Sequence, residues 1–227
     1  MRILVHAKIV YAPNYPEADC LLIENGLISW VGQFSAVKHL GLSFDQIVDL
    51  SEYFVAPGFV DSHVHLSATG ALIDGLDLRS ATSAKQAILL LQNYVLAHPT
   101  GFIVGHGWED TKWIDANDWN FENISKIVGD RSLYLSRIDV HSALVSTPFT
   151  IGIVSKEAHH EVRKFVQDKL PQQQRQNQIR SALQLAASQG VVSVHENGGP
   201  AVSGQTDFLD VMSISSEPGM PNVVGYW

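Results

Sequence analysis

Two histidines one residue apart, His63 and His65, are the side chains of this chain best placed to do chemistry. They close the run Val55-Ala56-Pro57-Gly58-Phe59-Val60-Asp61-Ser62-His63-Val64-His65-Leu66, which passes into the small and polar Ser67-Ala68-Thr69-Gly70. Pro57-Gly58 marks a turn, and Phe59, Val60 and Val64 favour a strand after it. Alternate side chains of a strand share a face, so both imidazoles would project together from the strand's end. Two neutral imidazoles so placed can bind one divalent metal, and zinc is the commonest guest of nitrogen-rich sites. The competing reading is a pair of strand-edge histidines hydrogen-bonded to backbone.

Further polar residues follow other apolar runs. His106 lies between glycines and beside Trp108; Asp139 and His141 follow the run 133–138; His195 and Glu196 close the run 191–195. Five of the ten histidines thus fall at the ends of four predicted strands. Each has a structural alternative. His106, Asp139 and His141 could hold turns. His195-Glu196 could supply a metal ligand, a partner that orients a metal-bound histidine, or the cap of the turn Asn197-Gly198-Gly199-Pro200. His6, His39, His98 and the pair His159-His160 fall in the N-terminal region or on predicted helices and read as structural.

The elements that would carry these residues divide at about residue 56. Before it, short apolar runs (3–5, 9–11, 20–23, 27–31 and 47–50) predict strands, and Asn25-Gly26 between two of them is the strongest short hairpin signal. After Pro57, strand-like runs at 58–64, 102–105, 132–138, 191–195 and 222–227 are separated in part by helices, the pattern of a parallel α/β fold. Ser83 is expected to cap a helix over 84–97 and Ser155 one over 156–170. A longer helix over 172–188 is expected to stop at Gly190, with the glutamines 172–174 on a solvated face.

The segment Pro57-Gly58-Phe59-Val60-Asp61-Ser62-His63-Val64-His65 resembles the first barrel strand of the amidohydrolase superfamily of metal-dependent hydrolases. Gly105-His106-Gly107-Trp108-Glu109, Arg137-Ile138-Asp139-Val140-His141-Ser142-Ala143 and Gly190-Val191-Val192-Ser193-Val194-His195-Glu196 are similar to the branch that includes N-substituted formamide deformylase. The likeness runs from about Leu4 to Trp227. It implies an α/β fold: a partial TIM-like (β/α) barrel over 57–227, preceded by a small N-terminal β-sandwich module over 1–56 that forms half of a composite sandwich. It also implies a divalent metal, zinc first, on His63 and His65, with His106, Trp108, Asp139, His141, His195 and Glu196 around a small amide-type substrate. The reaction would be hydrolysis of carbon–nitrogen bonds other than peptide bonds.

The chain departs from that pattern in several places. The family's middle-strand lysine or glutamate, its later histidines and its last-strand aspartate have no counterpart here. Val140 stands where glycine is usual, which would tilt His141, and the connection 146–155 is short, which would trim the pocket wall. A complete barrel takes about 250 residues, and 170 follow Pro57. The expectation is therefore the N-terminal part of a larger barrel, weakly active or inactive by itself. The alternative is a non-catalytic fragment or split-enzyme subunit that self-associates or needs a partner chain to complete the barrel.

Composition narrows the classes further. Hydrophobic residues make up 45% and charged residues 17%, as in an ordinary soluble globular protein. A net charge of −8 argues against nucleic acid or an anionic membrane as partner. The single cysteine, Cys20, allows no internal disulfide and fits a reducing cytoplasm. The N-terminus lacks a signal peptide's apolar core, and no stretch is apolar enough for a membrane span.

Overall fold

Positive φ at both Asn25 and Gly26, 51° and 83°, makes the two-residue type I′ turn that Asn-Gly favours. The surrounding architecture is that of a computed structural model, which describes residues 1–148, 150–199 and 204–227 apart from the Gln167 side chain. Residues Met1–Gly58 form one compact unit and Phe59–Trp227 another. In the first, β1 (Arg2–Val10) pairs antiparallel with β2 (Cys20–Glu24), and β2 turns through Asn25-Gly26 into β3 (Leu27–Gly32). β4 (Gln46–Val55) runs parallel to β1, giving one four-stranded sheet in the order β3-β2-β1-β4. The runs 3–5 and 9–11 are thus one strand, because His6 and Ala7 keep the ladder with Asp49 and Leu50.

The second unit runs, in order, β5 (Phe59–Val64), α1 (Leu66–Asp74), β6 (Leu76–Asp77), α2 (Ala84–Ala97), β7 (Ile103–Trp108), α3 (Phe121–Val128), β8 (Leu133–Arg137), β9 (Ser142–Thr147) and β10 (Thr150–Ser155). It continues with α4 (Lys156–Lys169), α5 (Gln172–Ser188), β11 (Val191–Asn197), α6 (Gln205–Ile214) and β12 (Asn222–Tyr226). These strands form two sheets. β5, β11 and β12 are parallel neighbours in the order β12-β11-β5. The other sheet, β10-β9-β8-β7-β6, is parallel from β6 to β8 and antiparallel from β8 to β10.

This corrects the expectation of one parallel series. β7 and β8 do not join β5; they belong to the second sheet, closed by the β9–β10 hairpin. The segment 146–155, read as a shortened connection, is mostly that hairpin's outer strand. Each sheet has its own core. Leu66, Ile179, Leu183, Val194, Val211 and Val223 pack α1, α5 and α6 onto the three-stranded sheet. Complete burial of a side chain such as Leu183 stabilises by roughly 1.5–3 kcal/mol. The five-stranded sheet is covered on one face by α2 and α3, through residues such as Leu91, Ile124 and Leu135, and on the other by α4, through Val162 and Val166 against Val145.

Caps fix the helix starts. Ser83 Oγ accepts the Gln86 N–H at 3.2 Å, while the Asp115 carboxylate takes those of Ala84 and Lys85 at 2.9 and 3.1 Å. Three of the four N–H groups a helix leaves open are thereby satisfied. Ser155 precedes α4 but makes no side-chain cap bond. The stop at Gly190 has the left-handed φ expected of it, 78°. No described helix is long and apolar enough to cross a membrane.

Candidate metal centre

Glu196 on β11 lies in register with Val64 on β5. Val64 and Val194 pack into the core under α1, α5 and α6. By strand alternation His63 and His195, each one step away, face the side that these helices leave uncovered. His63 is exposed at the end of β5, while His65 lies one residue beyond the strand and is the N-cap of α1. The two rings are 5.1 Å apart between centroids, with planes at 79°. One ion can bridge such a pair, since each ring edge needs to approach it to about 2 Å.

Two further features hold the pair in place. The Asp61 carboxylate accepts the His63 backbone N–H at 3.0 Å. The Glu196 carboxylate, only 3% exposed, accepts the Leu66 N–H at 2.7 Å, at the first turn of the helix that His65 caps. Burial pushes the Glu196 carboxyl above the usual carboxylate range, and the Leu66 N–H and the two imidazoles oppose that shift. Of the roles open to Glu196, the structure shows the fastening of α1 to β11. Pro200 of the turn it was expected to cap lies outside the described residues, and the Gly198 N–H in that turn donates to the Tyr226 carbonyl.

The pair suits the nitrogen side of a metal site. His65 Nδ1 is buried without a hydrogen-bond partner, an uncommon state for a buried polar atom that a ligand bond would relieve. It does not make a whole site. Among the described residues no three His, Cys, Asp or Glu side chains converge in a way that could hold a metal ion, and a catalytic zinc generally has three protein ligands.

The remaining candidates are scattered. His106 on β7 is buried, with Nε2 3.8 Å from Asp77 Oδ1 and Nδ1 unpartnered. Burial holds its ring below the usual imidazole pKa, against the pull of Asp77. Trp108 is a correction: it has no exposed surface and donates its indole N–H to the Leu135 carbonyl at 2.8 Å. It belongs to the core between the five-stranded sheet and α2–α3, where it cannot touch a substrate. Asp139 and His141 form an exposed turn in which the Asp139 carboxylate accepts the His141 N–H at 2.9 Å. Val140 between them has φ 54°, where a glycine would be unstrained. His195 Nδ1 is 3.5 Å from the Tyr226 hydroxyl on β12.

Four residues that the sequence reading passed over line a cavity of about 290 Å³: Ser67, Arg163, Arg175 and Asp207. His159, read as structural, is buried with Nε2 2.8 Å from the Tyr134 hydroxyl, and Tyr134 is also in the cavity wall. None carries a local signature; they meet only because α1, α4, α5 and α6 converge.

A model of the amidohydrolase family matches residues 46–224. The chain belongs to the amidohydrolase family. His63, His65, His195 and Glu196 all lie within the matched range. Among curated relatives, the protein LONG AFTER FAR-RED 3 of Arabidopsis thaliana is 30% identical over 138 residues, 59% of this chain and 23% of that protein. Among solved structures, an uncharacterized metal-dependent hydrolase from Pyrococcus horikoshii OT3 superposes with a TM-score of 0.79 at 24% identity. One from Pyrococcus furiosus gives 0.78 at 25%. Both superpositions cover all of this chain, which spans 48% and 50% of the two hydrolases. The mixed α/β fold is thus shared with metal-dependent hydrolase structures about twice as long.

Proposed function

We propose that this chain supplies the two-imidazole part of a metal-dependent hydrolase of amide-type carbon–nitrogen bonds, with His63 and His65 as ligands of one divalent ion, zinc first. The observation that carries the reading is the closely spaced ring pair with its orphaned Nδ1, inside a range matched by the amidohydrolase family. In this reading β5, β11 and β12 are barrel strands, and the sheet of residues 1–56 is half of a composite sandwich. A bound divalent ion would lower the pKa of a water towards about 7 and polarise an amide carbonyl. The chain's own residues do the positioning. Glu196 anchors the α1 start, Asp61 holds the His63 backbone, and His195 meets substrate on the uncovered face. The parts of His106, Asp139 and His141 in substrate binding, and the likeness to N-substituted formamide deformylase, rest on motif similarity. A reducing cytoplasm is the compartment proposed, on the ground that Cys20 is the single cysteine of the sequence.

The test is hydrolysis of a panel of N-formyl and N-acetyl amines with and without zinc. Slow, zinc-dependent turnover lost in His63→Ala is expected. Turnover indifferent to zinc or to His63→Ala would remove the proposal, and fast turnover would overturn the two-ligand account. A second reading, a subunit that associates with another copy or another chain, is favoured by the edges of β5 and β12, which pair with no further described strand. Light scattering of the purified chain tests it: a monomer that stays monomeric at high concentration argues against self-association.

A further inference from the structure

We propose that the cavity of about 290 Å³ between α1, the β7–β8 face and helices α4–α6 is a binding site for a small monocarboxylate with an apolar body. The inference stands on this cavity's own geometry and does not depend on the metal reading.

Much of the wall is apolar. Ala68, Ala71 and Leu72 from α1 face Val104 from β7 and Val166 from α4. Such a surface takes up a hydrocarbon or aromatic body, as most small-molecule sites do. The charges of the wall favour an anion. Arg175 is already matched: its guanidinium is buried and lies 3.0 Å from Asp207 and 2.7 Å from Asp210. Gln172 and Gln176 complete the Asp210 shell at 3.1 and 2.9 Å. Arg163 differs, being half-buried in the wall and making no ion pair among the described residues. Since Asp207 and Asp210 both face Arg175, Arg163 is the charge of the wall left without a partner among the described residues.

Two buried polar atoms of the wall residues are unpartnered, Ser67 Oγ and His106 Nδ1. Buried polar atoms in folded proteins are paired in the great majority of cases. A carboxylate against Arg163 gains a charge-assisted contact, and a rotation of the Ser67 side chain would let its unpartnered hydroxyl donate to the same ligand. His106 Nδ1 can donate or accept according to its tautomer.

The test is calorimetric titration of chelator-treated, metal-free protein with phenylacetate and with its neutral isostere phenylacetamide. The expected result is saturable binding of phenylacetate at least tenfold tighter than that of phenylacetamide. Arg163→Gln should remove that preference, chiefly by weakening phenylacetate binding. Ala71→Phe, which fills the cavity from the α1 side, should abolish binding of both compounds, with the fold checked by circular dichroism. Equal affinity for acid and amide, or an unaltered preference in Arg163→Gln, overturns the proposal, as does failure of phenylacetate to saturate. Should Arg163→Gln not fold, the acid-to-amide ratio on the unmodified chain decides alone. Because no metal is present, failure here leaves the reading of His63 and His65 untouched.

Discussion

Truncating Glu196 should cost far more than neutralising it. Glu196→Ala strips the acceptor from the Leu66 N–H, a 2.7 Å bond in a site only 3% exposed. A hydrogen bond to a charged group contributes about 1.5–3 kcal/mol, and the one buried methylene that is lost adds roughly 0.8 kcal/mol. Against that, the mutation removes a carboxylate whose burial is unfavourable, as the raised pKa shows. The net cost should be about 2–3 kcal/mol. In a unit of this size each kcal/mol lowers Tm by about 2–4 °C, so a fall of roughly 5–10 °C is expected. Glu196→Gln keeps a carbonyl oxygen for the N–H and discards the costly charge, so it should lose less than about 1 kcal/mol. Urea unfolding of the three proteins gives the ordering, and hydrogen exchange at the Leu66 amide locates it. Equal losses in the two variants, or fast exchange at Leu66 in the unmodified chain, would refute the fastening role.

Three other outcomes follow from the same geometry. Gly70→Ala would drive a methyl into the Gln178 backbone carbonyl, where α1 meets α5, so urea unfolding should show a loss of about 1–3 kcal/mol; a neutral result would mean the helices can separate freely. Val140→Gly relieves a left-handed conformation in a β-branched residue. Strain of about 1–2 kcal/mol, less the extra unfolded-state entropy of glycine, predicts a gain of up to about 1 kcal/mol in the same assay, and a loss would contradict it. Asp77, held at a pKa of about 2 chiefly by the Arg79 guanidinium, lies below its unfolded value of 3.8. Its contribution is present above pH 3.8 and lost as pH falls from there towards 2, so the stability curves of the unmodified chain and Asp77→Asn should converge over that interval.

What the sequence disclosed and what it hid divide along physical lines. Asn25-Gly26 and Ser83 were legible because their conformations follow from their own side chains. The helix over 172–188 was legible too, through its length and the glycine beyond its end. β7 and β8 were legible as strands, but not the separate sheet they join, because an apolar run says nothing about its neighbour. Burial on both faces erased any alternation that would separate them, as β7 shows, with five of its six residues buried. That same burial misplaced Trp108, whose motif neighbours suggested a pocket while the sheet enclosed it. α1 was hidden by Ser67, Thr69 and Gly70, which read as loop residues; Gly70 is there to let α5 approach. The pair His63 and His65 needed only strand alternation and a short overhang, whereas Glu196 lies 130 positions from the amide it holds.

The central claim is that the imidazoles of His63 and His65 together grip one divalent ion. Zinc titration followed through the ring nitrogens of all ten histidines by NMR tests it most directly. The account predicts that the His63 and His65 rings respond first and together, saturating at one equivalent, and that His63→Ala or His65→Ala each weakens binding at least tenfold. Rings at 63 and 65 that keep their free-imidazole signals while zinc goes elsewhere, or to no defined site, would contradict it.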